Sequence, residues 1–255
     1  MLTRSFFSEK LEVQIYPDRD QAGAAGAAIA ADVIRKEIGA RGKAAIVLAS
    51  AVSQDPFLAS LRSQDDVPWN LVTVFHLDEY AGMAADHPAS FRRFQRERFI
   101  DRVPVGAFHA LGGDAPDLAA ECRRYAALLE EARPCMVALG IGENGHLAFI
   151  DPPVCDFDDP QDVRVVDLDE VCRMQQVHDG AFAQIEDVPK RALSLTVPFF
   201  LRVPRVLAFV NGPHKAAAVK AALEGPVAES CPASALRRHP AATLFLDPGA
   251  ASLLE

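Results

Sequence analysis

Cys135-Met136-Val137-Ala138-Leu139-Gly140-Ile141-Gly142-Glu143-Asn144-Gly145-His146-Leu147-Ala148-Phe149-Ile150-Asp151-Pro152-Pro153 carries an apolar run directly into a turn studded with glycines. The run reads as a buried strand, and the turn presents His146 and Asp151 at the strand's end. Histidine titrates near neutrality and a neighbouring carboxylate tunes it, so the pair suits proton transfer. Gly140, Gly142 and Gly145 also spell G-x-G-x-x-G. A dinucleotide site needs a helix opening at the third glycine. Pro152 and Pro153 follow too closely for a long helix, because residues before proline avoid helical backbone. Proton transfer therefore outranks nicotinamide binding. The bland alternative is a glycine turn holding a hydrogen-bonded histidine.

Outward from this stretch, short apolar runs alternate with helical patterns. Strands are expected over Val13–Tyr16, Ala44–Leu48, Leu71–Leu77, Cys135–Gly140, Ala192–Thr196, Arg205–Val210 and Ala242–Leu246. Helices are expected over Asp20–Ile38, ending at Gly39, and over Gln54–Ser63, Ala89–Phe99, Ala115–Ala132 and Lys215–Leu223. Strands rich in Val, Ile and Leu with helices between them predict an α/β fold: a Rossmann-like, mostly parallel sheet with helices on both faces. No linker divides the chain, so residues 1–255 read as a single domain. Asp151–Pro189 is the least regular region and reads as a mobile lid.

Parallel sheets bind ligands at the carboxyl ends of their strands. Asp78 and Glu79 end one strand, as a candidate general base with an acidic neighbour or as caps of the next segment. Ser50 and Ser53 follow another, as phosphate ligands or, for Ser53, an N-cap. Lys215 stands in Asn211-Gly212-Pro213-His214-Lys215, where a turn opens a helix; it reads as an anion ligand or a solvated lysine. His76, His109 and His178 read as structural or surface residues, and His239 is ambiguous.

The 255 residues carry a net charge of −9, which argues against nucleic acid or an anionic membrane as bulk partners. No apolar run reaches the roughly 18 residues of a membrane span, and no signal peptide is evident. Five scattered cysteines without a C-x-x-C pair suit reduced thiols in a cytoplasmic protein and argue against a zinc site.

Phe75–Gly82 (F-H-L-D-E-Y-A-G), Gly140–Pro153, Asn211–Gly225 and His239-Pro240, in this order, resemble the glucosamine-6-phosphate deaminase (isomerase) family, which shares a superfamily with 6-phosphogluconolactonase. The resemblance runs from the first strand to Asp247, and the D-E-Y triplet favours the deaminase branch. It implies a hexosamine phosphate as partner and no metal or organic cofactor; a homo-oligomer is compatible with it. It also implies that His146 opens the sugar ring, Asp78 moves the C2 proton to C1, Asp151 stands for a glutamate assisting the histidine, and Ser53 and Lys215 hold phosphate. A family arginine falls near Gln176, with Arg173 as a replacement.

The chain departs from the pattern at Asn144, where the family has an aspartate orienting the histidine. An amide can accept from a ring N–H but cannot stabilise an imidazolium as a carboxylate does. Asp151 is a methylene shorter than glutamate. Ser50-Ala51-Val52-Ser53 replaces a glycine-containing phosphate loop, and side chains there disfavour positive φ. A lactonase, and a weakly catalytic sugar-phosphate-binding protein, are the other readings.

Overall fold

The computed structural model describes Met1–Glu255. The chain opens with an antiparallel pair, β1 (Arg4–Ser8) and β2 (Leu11–Ile15), and continues into α1 (Arg19–Arg41). Asp18 caps α1 by accepting from the Gln21 N–H, and Gly42 closes it at φ 75°. The helix thus runs past Gly39, because Gly42 provides the left-handed C-cap. β3 (Ala44–Leu48), α2 (Asp55–Arg62), β4 (Val72–His76), β5 (Asp78–Tyr80), α3 (Phe91–Arg98), β6 (Ala107–His109), α4 (Leu118–Ala132) and β7 (Met136–Leu139) follow. The remainder is β8 (Val163–Asp167), α5 (Glu170–His178), β9 (Arg191–Leu195), α6 (Val197–Arg202), β10 (Val206–Val210), α7 (Ala216–Glu224) and β11 (Ala242–Leu246).

The main sheet has eight strands in the order β1-β2-β11-β10-β7-β3-β4-β6. Every pairing in it is parallel except that of β1 with β2. Strand residues alternate between two apolar layers: Ala45 and Val47 face one, Ala44, Ile46 and Leu48 the other. Both faces are covered, as the unbroken Val, Ile and Leu runs require. α1 and α2 supply the smaller layer, and α4 to α7 the larger.

Arg191–Leu195, close to the expected Ala192–Thr196 strand, does not join this sheet. It is the centre of a second, three-stranded antiparallel sheet, β5-β9-β8. Its run of apolar residues looks like a parallel strand because it too is buried. The Asp151–Pro189 region is also more regular than its composition suggests, since it contains β8 and α5. Asp169 starts α5 by accepting from the Cys172 N–H.

The junction between the sheets positions Asp78. β4 ends at His76, and two residues later Asp78 pairs with Ser194 of β9. The Tyr125 hydroxyl of α4 pins the strand end, accepting from the His76 N–H at 2.8 Å and donating to the His76 carbonyl at 2.9 Å.

Candidate active site

The loops after β4, β3, β7 and β10 carry Asp78, Ser50 to Ser53, Gly140 to Asp151 and Asn211 to Lys215, respectively. These strands are consecutive in the sheet and parallel, so the loops emerge side by side on one edge. With neighbouring strands about 4.8 Å apart, the outermost loops start about 15 Å from one another, a span suited to a phosphorylated sugar. Asp78, His146 and Lys215 are all buried, at 6%, 6% and 7% exposure. Burial, with the Asp151 and Asp169 charges behind it, pushes the Cys172 thiol of α5 well above its usual range.

The histidine loop is shaped by its glycines. Gly145 lies at φ 82° and donates its N–H to the Gly142 carbonyl at 3.0 Å; the Gly142 N–H donates to the His146 carbonyl at 3.0 Å. A side chain at 145 would be strained and would meet the Cys231 sulfur at 2.8 Å. At Gly142 the reason is steric: an added Cβ would lie 2.2 Å from Cε1 and Nε2 of His146. The glycines thus seat an imidazole. Only a short 3₁₀ turn, Pro152–Val154, follows, so no helix N-terminus faces a pyrophosphate.

His146 Nδ1 lies 3.0 Å from Asp151 Oδ1, off the axis of a directed hydrogen bond but in contact with the carboxylate. The shorter side chain therefore reaches the ring. Asn144 does not: its Oδ1 accepts from the backbone N–H of His146 at 3.0 Å. Its Nδ2 donates to Asp151 Oδ1 and to Asp169 Oδ2, each at 2.9 Å. The expectation that Asn144 orients the imidazole directly is corrected: it holds the carboxylate that does.

The two acids beside the histidine have opposite surroundings. Burial, reinforced by the Glu79 charge, pushes the Asp78 carboxyl well above its ordinary range. Burial also acts to raise Asp151, but contacts from His146, Asn144 and the Asp169 N–H together hold it below its usual value. Burial lowers the Lys215 ammonium, partly offset by Asp179 and Glu143.

The other expected ligands are engaged by neighbouring groups to different degrees. Glu79 is fully buried; its carboxylate accepts from Ser90 Oγ at 2.7 Å, from the N–H groups of Phe91 and Arg92, and from Arg92 Nε at 3.2 Å. It caps α3 and is not presented to the cleft. The Arg173 guanidinium is tied through Nε and Nη2 to the carbonyls of Ile185 and Val188. Ser50 Oγ accepts from Gln95 Nε2 at 3.0 Å, and Ser53 remains half-buried beside Asn211, whose Nδ2 donates to its carbonyl at 3.4 Å. No residue from Ala51 to Ser53 has positive φ. His239 is structural, its ring nitrogens engaged by Val203 O and the Ala241 N–H.

Sequence reasoning passed over Asp169 and Gln175, and named Gln176 only as the place near which a family arginine falls. Gln175 Oε1 accepts from the Glu143 N–H at 2.9 Å, and Gln176 Oε1 from the Tyr80 hydroxyl at 2.7 Å. Asp169 had a legible signal, an N-cap aspartate ahead of a helical segment. His146, Asp151 and Cys172 also present donor atoms within 4.8 Å of one another. The carboxylate oxygens there are already engaged, and burial pushes the Cys172 thiol well up, opposing the thiolate that a metal would need. This set fits an acid–base network better than a metal centre.

The family model for glucosamine-6-phosphate isomerases and 6-phosphogluconolactonase matches residues 17–245. A Bacillus subtilis relative named glucosamine-6-phosphate deaminase 1 is 36% identical over 252 residues, covering 95% of this chain and 98% of its own. The solved structure of a monomeric glucosamine-6-phosphate deaminase superposes with a TM-score of 0.86 at 32% identity, over 94% of this chain and 99% of the other. A 6-phosphogluconolactonase from Trypanosoma brucei shares the fold, with a TM-score of 0.77 at 19% identity over 95% of this chain and 98% of that one.

Proposed function

Because the chain belongs to the family of glucosamine-6-phosphate isomerases and 6-phosphogluconolactonases, we propose that it converts glucosamine 6-phosphate and water to fructose 6-phosphate and ammonia. One observation carries this reading: His146 is seated by its glycine loop with Nδ1 3.0 Å from the buried Asp151 carboxylate, on the same sheet edge that carries Asp78 and Lys215, and the two buried carboxyls, Asp78 and Asp151, are driven in opposite directions. Such a split assigns proton-transfer roles. Asp151 stays ionised and supports the imidazole as His146 moves a proton at the ring oxygen, opening the pyranose. Asp78, desolvated and basic, takes the C2 proton and returns it at C1. As the C2 proton moves to C1, the C1 carbonyl oxygen gains a proton and the 2-amino nitrogen gives one up, leaving a C1 hydroxyl and a C2=N imine; water adds at C2 and ammonia leaves, giving the ketone. Lys215, with Ser53 and the turn at Asn211, binds the phosphate.

The test is ammonia release from glucosamine 6-phosphate against hydrolysis of 6-phosphogluconolactone. Lactone hydrolysis without ammonia would move the chain to the other branch of the family. Ligand binding without exchange of the C2 proton into solvent would reduce it to a binding protein.

Two substitutions separate the roles. Lys215→Ala removes a buried cation from the phosphate and is expected to raise KM about 10²-fold with a smaller change in kcat. An unchanged KM would take Lys215 out of the phosphate site. His146→Gln is expected to slow the cyclic sugar about 10³-fold. Equal slowing of an open-chain analogue would contradict a ring-opening role.

A further inference from the structure

Asn144 has one amide nitrogen, and both of its hydrogens go to carboxylates: Asp151 Oδ1 and Asp169 Oδ2, each at 2.9 Å. Asp169 returns to the same acid through its backbone, its N–H donating to Asp151 Oδ2 at 3.1 Å. Its other oxygen accepts from the Cys172 N–H at 2.7 Å and starts α5. Residues 144, 151 and 169 therefore form a closed ring of hydrogen bonds. His146 touches this ring twice, through its backbone N–H on Asn144 and its Nδ1 against Asp151. α5 is fastened to the same loop by Gln175 on the Glu143 N–H, and to the Asp78 strand by Gln176 on Tyr80.

We propose that Asp169 is a positioning residue for the His146–Asp151 pair, acting through Asn144, so that the aim of the imidazole depends on how α5 is seated. The inference deepens the deaminase reading and rests on it for its kinetic arm. The chemistry of the ring dictates its residue types. Two carboxylates converge on position 144, and only a side chain with two donor hydrogens satisfies both; an aspartate there would face them with a third negative group. Asparagine at 144 and aspartate at 169 are a matched pair. Asp169 supplies the carboxylate that holds the amide plane, and the amide in turn fixes the oxygen of Asp151 that meets the ring. Groups of this kind, one step removed from the reacting atoms, commonly change rates about 10- to 100-fold when lost.

A double-mutant cycle tests the pairing. Asp169→Asn keeps an oxygen able to cap α5 but turns an NH₂ toward the NH₂ of Asn144. It is expected to lower kcat on glucosamine 6-phosphate about 10-fold, with KM within about 2-fold and much less effect on an open-chain analogue. Asn144→Asp, facing two carboxylates, is expected to cost about 100-fold. The double variant removes one of those repulsions and restores a donor–acceptor pair. It should exceed the product of the single effects by about 10-fold or more. The ¹⁵N shift of His146 Nδ1 gives a readout that needs no substrate: it should move in Asp169→Asn and return toward the wild-type value in the double variant. Effects that simply multiply, equal slowing of cyclic and open-chain sugars, or an unmoved His146 resonance would each overturn the proposal. Failure of the unmodified protein to release ammonia would instead overturn the deaminase reading, and the resonance would still decide the role of Asp169.

Discussion

Asp78→Asn is expected to lower turnover on glucosamine 6-phosphate by about 10³-fold while the folded protein becomes more resistant to heat at neutral pH. Both effects have one cause. The carboxyl is buried beside Glu79, and its pKa lies well above the ordinary value. A base of raised pKa is matched to abstraction of a weakly acidic C–H proton, and an amide cannot perform that step. For stability the sign is fixed by linkage. The unfolded chain ionises Asp78 near pH 4. The folded chain resists ionisation until its raised pKa is passed. The aspartate is therefore neutral toward stability below about pH 4, and its penalty grows as pH rises toward the folded value. Replacement by asparagine removes that penalty, so the gain in Tm should be present at neutral pH and vanish in acid. The pH profile of kcat/KM provides the companion measurement: activity should fall with acidification through a pKa above the usual aspartate range. Sugar-phosphate binding should survive in Asp78→Asn. Near wild-type turnover in that variant would remove Asp78 from the role of base.

Gly142→Ala is expected to be nearly as damaging to the chemistry, although it adds one methyl group. The imidazole of His146 lies flat over the Gly142 α-carbon, and the new Cβ would fall 2.2 Å from Cε1 and Nε2 and 2.3 Å from Nδ1. The ring must move, and the Asp151 contact moves with it. Displacement of a catalytic group by about 1 Å costs about 10²-fold in rate. kcat on the cyclic sugar should fall by that order, with KM much less affected, because Lys215 and the phosphate loop lie on other strands. A variant that retained full turnover would mean that the ring position seen here is not the working one.

The glycine pattern shows how much a sequence can and cannot say. Gly140, Gly142 and Gly145 are legible as a turn after a strand, and the prolines that follow rank a dinucleotide site below proton transfer. The reason for Gly142, an imidazole returning onto its own loop from position 146, was a tertiary fact. The parallel strands were legible because burial on both faces leaves continuous apolar runs in Ala44–Leu48 and Val206–Val210. Short strands were not: Asp78–Tyr80 has three residues, two of them acidic, and exists because Arg191–Leu195 pairs with it. Glu79 was misread for a related reason. At a strand end it looks like a ligand, and only the fold brings Ser90 and Arg92 to occupy its oxygens. Arg173 was assigned by position along the chain, which says nothing about the carbonyls of Ile185 and Val188 that hold it. Asp169 was overlooked because its partners, Asn144 and Asp151, lie far away in sequence.

The Tyr125 phenol makes one further point about inheritance of function in this fold. It grips both backbone polar groups of His76, two residues ahead of Asp78, from the buried face of α4. Whatever drifts in α4 is thus transmitted to the trajectory of the base. A screen of variants that samples only the lining of the cleft would overlook this lever, and a lineage refining its reaction could adjust the aim of Asp78 through the helix that holds the end of its strand.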